Sequence, residues 1–321
     1  MGDQVYALGV DGGATKTVAV IGDQSGRSLG YGSAGPSNYH NVGGVSSLRA
    51  IRSAVAIAKR NAGLSNEFPK VAVVALAGVD SVADSLVANR FVKKARIARS
   101  TFVVHDSIAA LYAATQGKPG IVVNSGTGSV AAGFNSAGRY ARAGGYGYLI
   151  ADEGSAFDVG RRSLATAFRS LDGRAPPTKL TAILKRVYGV RHLEDILNKI
   201  YSERLQIDSI ARLAPLVAKE APRDRACIEI LRQSGISLAE LVCAVAKKLN
   251  MEDSHLMVVT FGGNFKVGPK MVGPFKSAVK RKCKHVKFAQ LKDEPALGAY
   301  ALAASMLRGK RLGSKNFLVA R

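Results

Sequence analysis

Apolar, β-branched residues run from Val5 to Val10 and again from Val18 to Ile21, separated by the polar stretch Asp11-Gly12-Gly13-Ala14-Thr15-Lys16-Thr17. Short apolar runs bounded by turn residues predict buried strands, here over 5–10 and 17–22, with a third near 28–33. A helix is predicted through about 44–62, then the strand Val71 to Leu76, a helix near 82–96, the strand Phe102 to Val104, and a helix from Asp106 to about Thr115. A strand meander followed by alternating helices and strands predicts an α/β layout with a mixed sheet.

After Gly117-Lys118-Pro119-Gly120 the theme restarts. Ile121 to Asn124 reads as a strand, Ser125 to Ser129 as a glycine-rich turn, Val130 to Phe134 as a second strand, and Asn135-Ser136-Ala137-Gly138 closes a hairpin into 139–143. A helical stretch from about 154 to 249 is broken at Pro176-Pro177 and Pro222. Leu256 to Phe261 returns to strand, followed by another glycine-rich turn and a helix near 268–282. This predicts a second copy of the same architecture with a helical insertion, a repeat of element order and not of residue identity. The last helix, Pro295 to Leu307, is expected to cross back to the first domain. The expected domains are therefore 1–117 plus 293–321, and 118–292.

A length of 321 residues suits two domains of ordinary size. The 47% hydrophobic content with 34 glycines is globular. No apolar run approaches the ~20 residues that cross a bilayer. Gly9, Asp11 and Lys16 interrupt the N-terminal apolar run, so a secretory signal is not expected. Cys227, Cys243 and Cys283 are odd in number and far apart in sequence, which suits reduced core thiols in a cytoplasmic protein. The net charge of +23 is unusual, with nine basic residues and no acid between Lys266 and Lys292 and a further basic run from Arg308 to Arg321. Nucleic acid would be one partner for such charge. Without Trp and without aromatic residues interleaved among the cations, a solvated face that draws in a polyanionic nucleotide is the favoured reading.

Four turns at strand ends could hold chemistry. Gly12-Gly13 exposes backbone N–H groups, Thr15 and Lys16 add a hydroxyl and a cation, and Asp11 suits a hydrated Mg²⁺ ion. The spacing does not fit the phosphate loop that opens a helix. Ser125-Gly126-Thr127-Gly128-Ser129 superficially fits a dinucleotide fingerprint, but a strand and not a helix follows it, so it reads as a second phosphate hairpin. Gly262-Gly263-Asn264 could cup a nucleoside face. Asp106 opens a helix after a strand; it is either an N-cap or a general base for a hydroxyl. His105 should point to the opposite face of that strand. Gly144-Gly145-Tyr146-Gly147-Tyr148 with Asp152-Glu153-Gly154-Ser155 could line a polyol pocket, or Asp152 or Glu153 could merely cap the next helix. Ser37-Asn38-Tyr39-His40-Asn41 is a similar polar loop, and Asp80 ends the third strand of the first half.

In order, these segments together with Gly35-Pro36, Ala77-Gly78-Val79-Asp80, His105-Asp106 and Glu294-Pro295-Ala296-Leu297-Gly298-Ala299 resemble the sugar kinases of the actin-like ATPase superfamily. The resemblance spans nearly the whole chain and points to the N-acetylglucosamine kinase and archaeal hexokinase branch of the BadF/BadG type. It implies two ribonuclease-H-like domains, with ATP, Mg²⁺ and sugar between them, and transfer of the γ-phosphate to a sugar 6-hydroxyl. Asp106 falls on the general base. Asn38, Asp106, Ser129, Val130, Gly145, Tyr146, Gly147 and Asp152 fall where the family contacts sugar, and Asp80 is counted with them. Thr15 and Thr127 would hold phosphates, with Gly13, Lys16 and Gly126 in the same hairpins; Ala211, Gly262 and Gly263 would sit near the nucleoside. Some acetylhexosamine kinases carry Trp where this chain has Tyr146, a departure that speaks against recognition of the N-acetyl group and leaves glucose, glucosamine or mannose open; the activity expected overall is phosphorylation of glucose, glucosamine or N-acetylglucosamine. The expected partners are thus a small sugar and a nucleotide, with no specific nucleic acid and no membrane, in a homodimer. Two rivals are an iron–sulfur ATPase that activates a dehydratase or reductase, for which paired cysteines are wanting, and a nucleic-acid-binding regulator, for which no winged helix or zinc module is found.

Overall fold

The computed structural model describes residues 4–79, 81–202 and 206–309. Strands β1 (Tyr6–Gly12), β2 (Thr17–Asp23) and β3 (Ser28–Ala34) form an antiparallel meander. Then follow α1 (Tyr39–Asn61), β4 (Val71–Leu76), α2 (Val82–Lys93), β5 (Ser100–His105) and α3 (Asp106–Thr115). The sheet order is β3-β2-β1-β4-β5, with β1, β4 and β5 parallel. The second sheet is built from β6 (Gly120–Ser125), β7 (Ser129–Phe134), β8 (Tyr140–Gly144), β9 (Leu256–Phe261) and β10 (Val286–Gln290) in the order β10-β9-β6-β7-β8. Read from its other end, β8-β7-β6-β9-β10, it repeats the order of the first sheet, so the repeat expected from element order is present in the topology.

The helical stretch before β9 is cut into α4 (Ala156–Leu171), α5 (Leu180–Tyr188), α6 (Ile196–Tyr201), α7 (Ile207–Ala211), α8 (Ala214–Glu220) and α9 (Arg225–Leu249). Helices α10 (Pro269–Lys282) and α11 (Pro295–Leu307) complete the chain. Two elements differ from the sequence expectation. Helix α1 starts a turn early, capped by the Asn38 side chain, and breaks at Gly43 with φ 75° and ψ 157°. Strand β10 was missed because it alternates a lysine and half-exposed residues, with no apolar run.

The described residues form two compact units. One holds those up to Val122, Ala132–Ala141 and those from Ala289 on; the other holds Val123–Ala131 and Arg142–Phe288. In the first, successive residues of β1 serve opposite faces, as a pleated strand requires. Leu8 and Val10 join Ile51, Val55 and Phe91 from α1 and α2 in one core. On the other face, Gly9 lets α11 come so close that a Cβ there would lie 2.0 Å from the Tyr300 backbone nitrogen. The Tyr300 hydroxyl reaches the Asp23 and Arg27 carbonyls at 2.8 and 2.9 Å, tying α11 to the β2–β3 turn. No helix among the described residues is long and apolar enough to cross a membrane.

Because the Gly9 contact is backbone against backbone, no rotamer change can relieve a side chain there. Gly9→Ala should destabilise the protein by roughly 2–3 kcal/mol or prevent its folding, read as a lowered urea midpoint; an unchanged midpoint would show that α11 is not seated as described.

Candidate active site

Parallel strands bring their C-terminal ends to one edge of a sheet, where ligands of open α/β sheets bind. In the first unit the register aligns Gly12 with Leu76 and Leu76 with His105, so Asp11 and Asp106 both stand at that edge. Glu294 precedes α11, whose N-terminal half lies against β1. Burial, then the negative charges of Asp106 and Glu294, raise the Asp11 carboxyl from 3.8 to about 7, while Lys16 opposes them. Lys16 Nζ is 2.7 Å from Glu294 Oε1. One cation thus faces three carboxylates, an excess of negative charge that a divalent cation would offset. Among the described residues, no group of three or more His, Cys, Asp or Glu is arranged to bind a metal unaided. Mg²⁺ characteristically takes one or two carboxylates and completes its shell with water and phosphate, so the residues fit that ion.

The first glycine turn is closed by Gly13 N–H donating to Lys16 O at 2.9 Å, and Gly13 O accepts from Ser37 N and Asn38 N at 3.1 Å. The Gly13 N–H, expected to face an anion, is therefore engaged within the turn. Ala14, Thr15 and Lys16 remain exposed at its tip. Thr17 locks the base of the turn through its hydroxyl to Gly35 O and Ser37 Oγ, at 2.7 and 2.8 Å. Asn38 is half-buried, with its side-chain oxygen accepting from His40 N at 3.1 Å. Asp80 lies outside the described residues.

Asp106 does not cap its helix. The cap of α3 is His105, whose Nδ1 accepts from Ser107 N at 3.1 Å and lies 2.8 Å from Asp106 Oδ1. The expectation that His105 points away is thereby corrected: leaving the strand, the residue turns its ring back over the helix start. One nitrogen cannot accept from Ser107 and donate to Asp106 at once, so the ring tautomer decides which of the two contacts is a hydrogen bond. Asp106 keeps a partly exposed side chain (29%).

In the second unit, Gly126 N donates to Gly128 O at 2.9 Å, closing that turn from within as Gly13 does, and Gly126 O accepts from Ala156 N. Thr127 Oγ1 is 3.2 Å from Asp208 Oδ1 of α7. Ser129 N donates to Asp152 Oδ1 at 3.1 Å, the Ser129 hydroxyl donates to Glu153 O at 2.7 Å, and Ser129 O accepts from Gly145 N at 2.9 Å. Val130 packs against Gly145. Ser129, Val130, Gly145 and Asp152 are therefore one cluster. Asp152 is buried with φ 69°, and neither it nor Glu153 caps α4; Ser155 does, accepting from Asp158 N. Tyr146 is 58% exposed with the Arg142 guanidinium 5.5 Å from its ring centre, and Gly147 accepts from Ile150 N and Ala151 N.

Gly262 adopts φ 100° and sits so close to β6 that a Cβ would lie 2.3 Å from Ser125 O. Beside it, next to Gly263, the buried Asn264 donates to Ser125 Oγ and Gly154 O, both at 3.0 Å, while its Oδ1 has no hydrogen-bond partner among the described residues. Ala211 is buried in α7, which packs on α4. Sequence reasoning assigned no site role to Asp208, Asn264, Glu294 or His105. The last three lay in segments it had marked; Asp208 lay in none, and only its fold-borne approach to Thr127 reveals it.

The chain belongs to the BadF/BadG/BcrA/BcrD ATPase family, whose profile matches residues 8–303. It is 29% identical to the N-acetylmuramic acid/N-acetylglucosamine kinase of Clostridium acetobutylicum, over 94% of this chain and 98% of that protein. It is also 29% identical to the N-acetyl-D-glucosamine kinase of Dictyostelium discoideum, over 92% of this chain and 97% of that one. A solved structure from Chromobacterium violaceum, whose proposed activity is N-acetylglucosamine kinase, shares 29% identity and a TM-score of 0.74, covering 94% of this chain and 99% of its own. The fold is accordingly that of the actin-like ATPase sugar kinases, two ribonuclease-H-like domains with mixed five-stranded sheets.

A carboxylic acid with a raised folded-state value binds a proton the unfolded chain has released. The stability Asp11 contributes is therefore full below pH 3.8 and lost as pH rises through about 7. In metal-free protein, the urea midpoint of wild type should fall relative to that of Asp11→Asn between about pH 5 and about pH 8. Parallel curves for the two proteins would show that Asp11 is not held protonated.

Proposed function

We propose that this chain is an ATP-dependent amino-sugar kinase that transfers the γ-phosphoryl group to the 6-hydroxyl of N-acetylglucosamine or a related hexose. The observation that carries the reading is Asp106, partly exposed at the C-terminal edge of three parallel strands, 2.8 Å from His105 Nδ1 and beside a carboxylate-rich cluster. The names of the relatives, which span nearly the same length, support the same substrate class.

In this reading Asp106 accepts the proton of the 6-hydroxyl as that oxygen bonds to the γ-phosphorus, the β–γ bridging P–O bond breaks, and ADP leaves with the bridging oxygen. Phosphoryl transfer asks little covalent chemistry of the protein, so positioning and charge neutralisation supply most of the acceleration. Mg²⁺, when bound, would neutralise phosphate charge, with Asp11 its protein-side anchor and Glu294 near it. Lys16, Thr15 and Thr127 are the side chains offered to the phosphates, since both turn glycines use their own N–H groups internally. Ser129, Gly145 and Asp152 form a pre-built cluster for sugar hydroxyls, with Asn38, Asp80, Val130, Tyr146 and Gly147 as further sugar contacts. Gly262 and Gly263 present backbone to the nucleoside, and the orphaned Asn264 Oδ1 is an acceptor beside them. Ala211 contributes its helix and not its buried methyl. An activator role through an iron–sulfur cluster has no support in the thiols: Cys227 and Cys283 are buried and Cys243 is half-buried, and among the described residues no group of three or more His, Cys, Asp or Glu could hold a metal.

Asp106→Asn should lower kcat for sugar phosphorylation by about 10²–10⁴ while ATP still binds, measured by coupled ADP release and nucleotide titration. Retained turnover would move the base elsewhere. His105→Asn keeps a good cap residue, so it should hold the melting temperature near wild type yet lower kcat; His105→Ala should lower both, with about 1 kcal/mol lost in stability. Equal kcat for wild type and His105→Asn would reduce His105 to a cap.

A further inference from the structure

Beyond the turns, the site above uses little of the +23 charge. In the first unit, a groove of about 560 Å³ opens where the α2–β5 connection meets the loop before β4, lined by Phe68, Lys93, Arg96, Arg99, Ser100, Thr101 and Phe102. It stands at the start of β5, on the order of 17 Å along that strand from the catalytic edge. No carboxylate lines it. Lys93, Arg96 and Arg99 are exposed, and none has an ion-pair partner among the described residues.

Cations near a helix C-terminus commonly offset the negative end of the helix dipole. Here that task is already filled by Arg52, which reaches over from α1 to donate to Lys94 O and Ala95 O. Arg96 and Arg99 lie beyond the helix end. Their loop is fixed at both sides by backbone bonds, Arg96 N to Lys93 O at 3.3 Å, Arg99 N to Pro69 O at 2.9 Å and Ser100 N to Lys70 O at 3.0 Å. The Pro69 and Lys70 bonds also bring Phe68 alongside, 48% exposed beside three unpaired cations and two hydroxyls.

We infer that this groove binds single-stranded nucleic acid without reading its sequence, a base resting on the Phe68 and Phe102 side chains while Lys93, Arg96 and Arg99 meet the flanking phosphates. A cationic track beside aromatic faces is the chemistry that holds single strands. An acidic peptide would satisfy the cations but leave the phenyl face in water. Three cations exceed what one mononucleotide phosphate needs, and the net charge of the chain draws a polyanion from a distance. This departs from the expectation of a merely solvated basic face and does not rest on the kinase reading.

The test is fluorescence anisotropy of a labelled single strand of about 12 nucleotides with the whole chain, ADP saturating so that the nucleotide site is filled. The variant Lys93→Gln/Arg96→Gln/Arg99→Gln should reduce the slope of log affinity against log salt by about 2, at roughly 0.7 for each single-strand phosphate no longer neutralised. Phe68→Ala should weaken binding roughly tenfold with its slope unchanged. Both should melt and turn over sugar as wild type does, and if the triple variant melts early, Arg99→Gln alone should lower the slope by about 0.7. An unchanged slope in a folded charge variant would overturn the assignment. So would displacement of the strand by polyglutamate of equal charge, which would mean charge attraction alone, or by AMP at equal nucleotide concentration, which would mean a site for the free nucleotide.

Discussion

Three carboxylates share the edge where β1, β5 and the start of α11 end, and a single lysine answers them. Like charges at close range raise one another's affinity for protons, which is why burial and two acidic neighbours drive Asp11 to about 7. The fold holds this cost in place because α11 cannot retreat: Gly9 lets its backbone seat directly on β1, and Tyr300 ties it to the β2–β3 turn. Glu294 is delivered by that seating. The acidic edge is thus a consequence of backbone packing some distance from it, and a cation arriving there would offset its excess of negative charge.

The two sheets repeat one strand order, and their first hairpins repeat one turn design. In each, a glycine N–H closes the turn onto a carbonyl two or three residues on, and its own carbonyl anchors the following loop or helix. The turn is rigid before any ligand comes, which is what pre-organised phosphate binding requires. The same closure engages the glycine N–H within the turn, so on the proposed kinase reading the side chains at the tips, Thr15, Lys16 and Thr127, would be the groups offered to a phosphate. Duplication has kept the scaffold of the turn and varied its tip.

Much of this was legible in the sequence where the signal is local. Apolar runs between turn residues marked seven of the strands, because a strand buried on both faces must be apolar throughout; β3 and β8, partly exposed, have no such run. Strand β10 carries a lysine and exposed positions and gave no such run. The motif turns and Asp106 were visible as residue types at strand ends. Their partners were not: Lys16 and Glu294 are 278 residues apart, and Thr127 and Asp208 are 81 apart, distances that only tertiary packing closes. His105 was misjudged for a different reason. Strand alternation placed its ring on the far face, but at a strand–helix junction the unmet N–H groups of the helix attract the imidazole instead.

Strand β5 carries opposite charge at its two ends. At its C-terminal end the acidic edge needs a cation, and at its N-terminal end Lys93, Arg96 and Arg99 stand without an anion. With a Debye length of about 8 Å at physiological ionic strength, the two ends are electrically separate in water. On the proposed kinase reading, a nucleotide drawn in by the net charge would therefore not be misdirected by the basic groove once it is near the acidic edge.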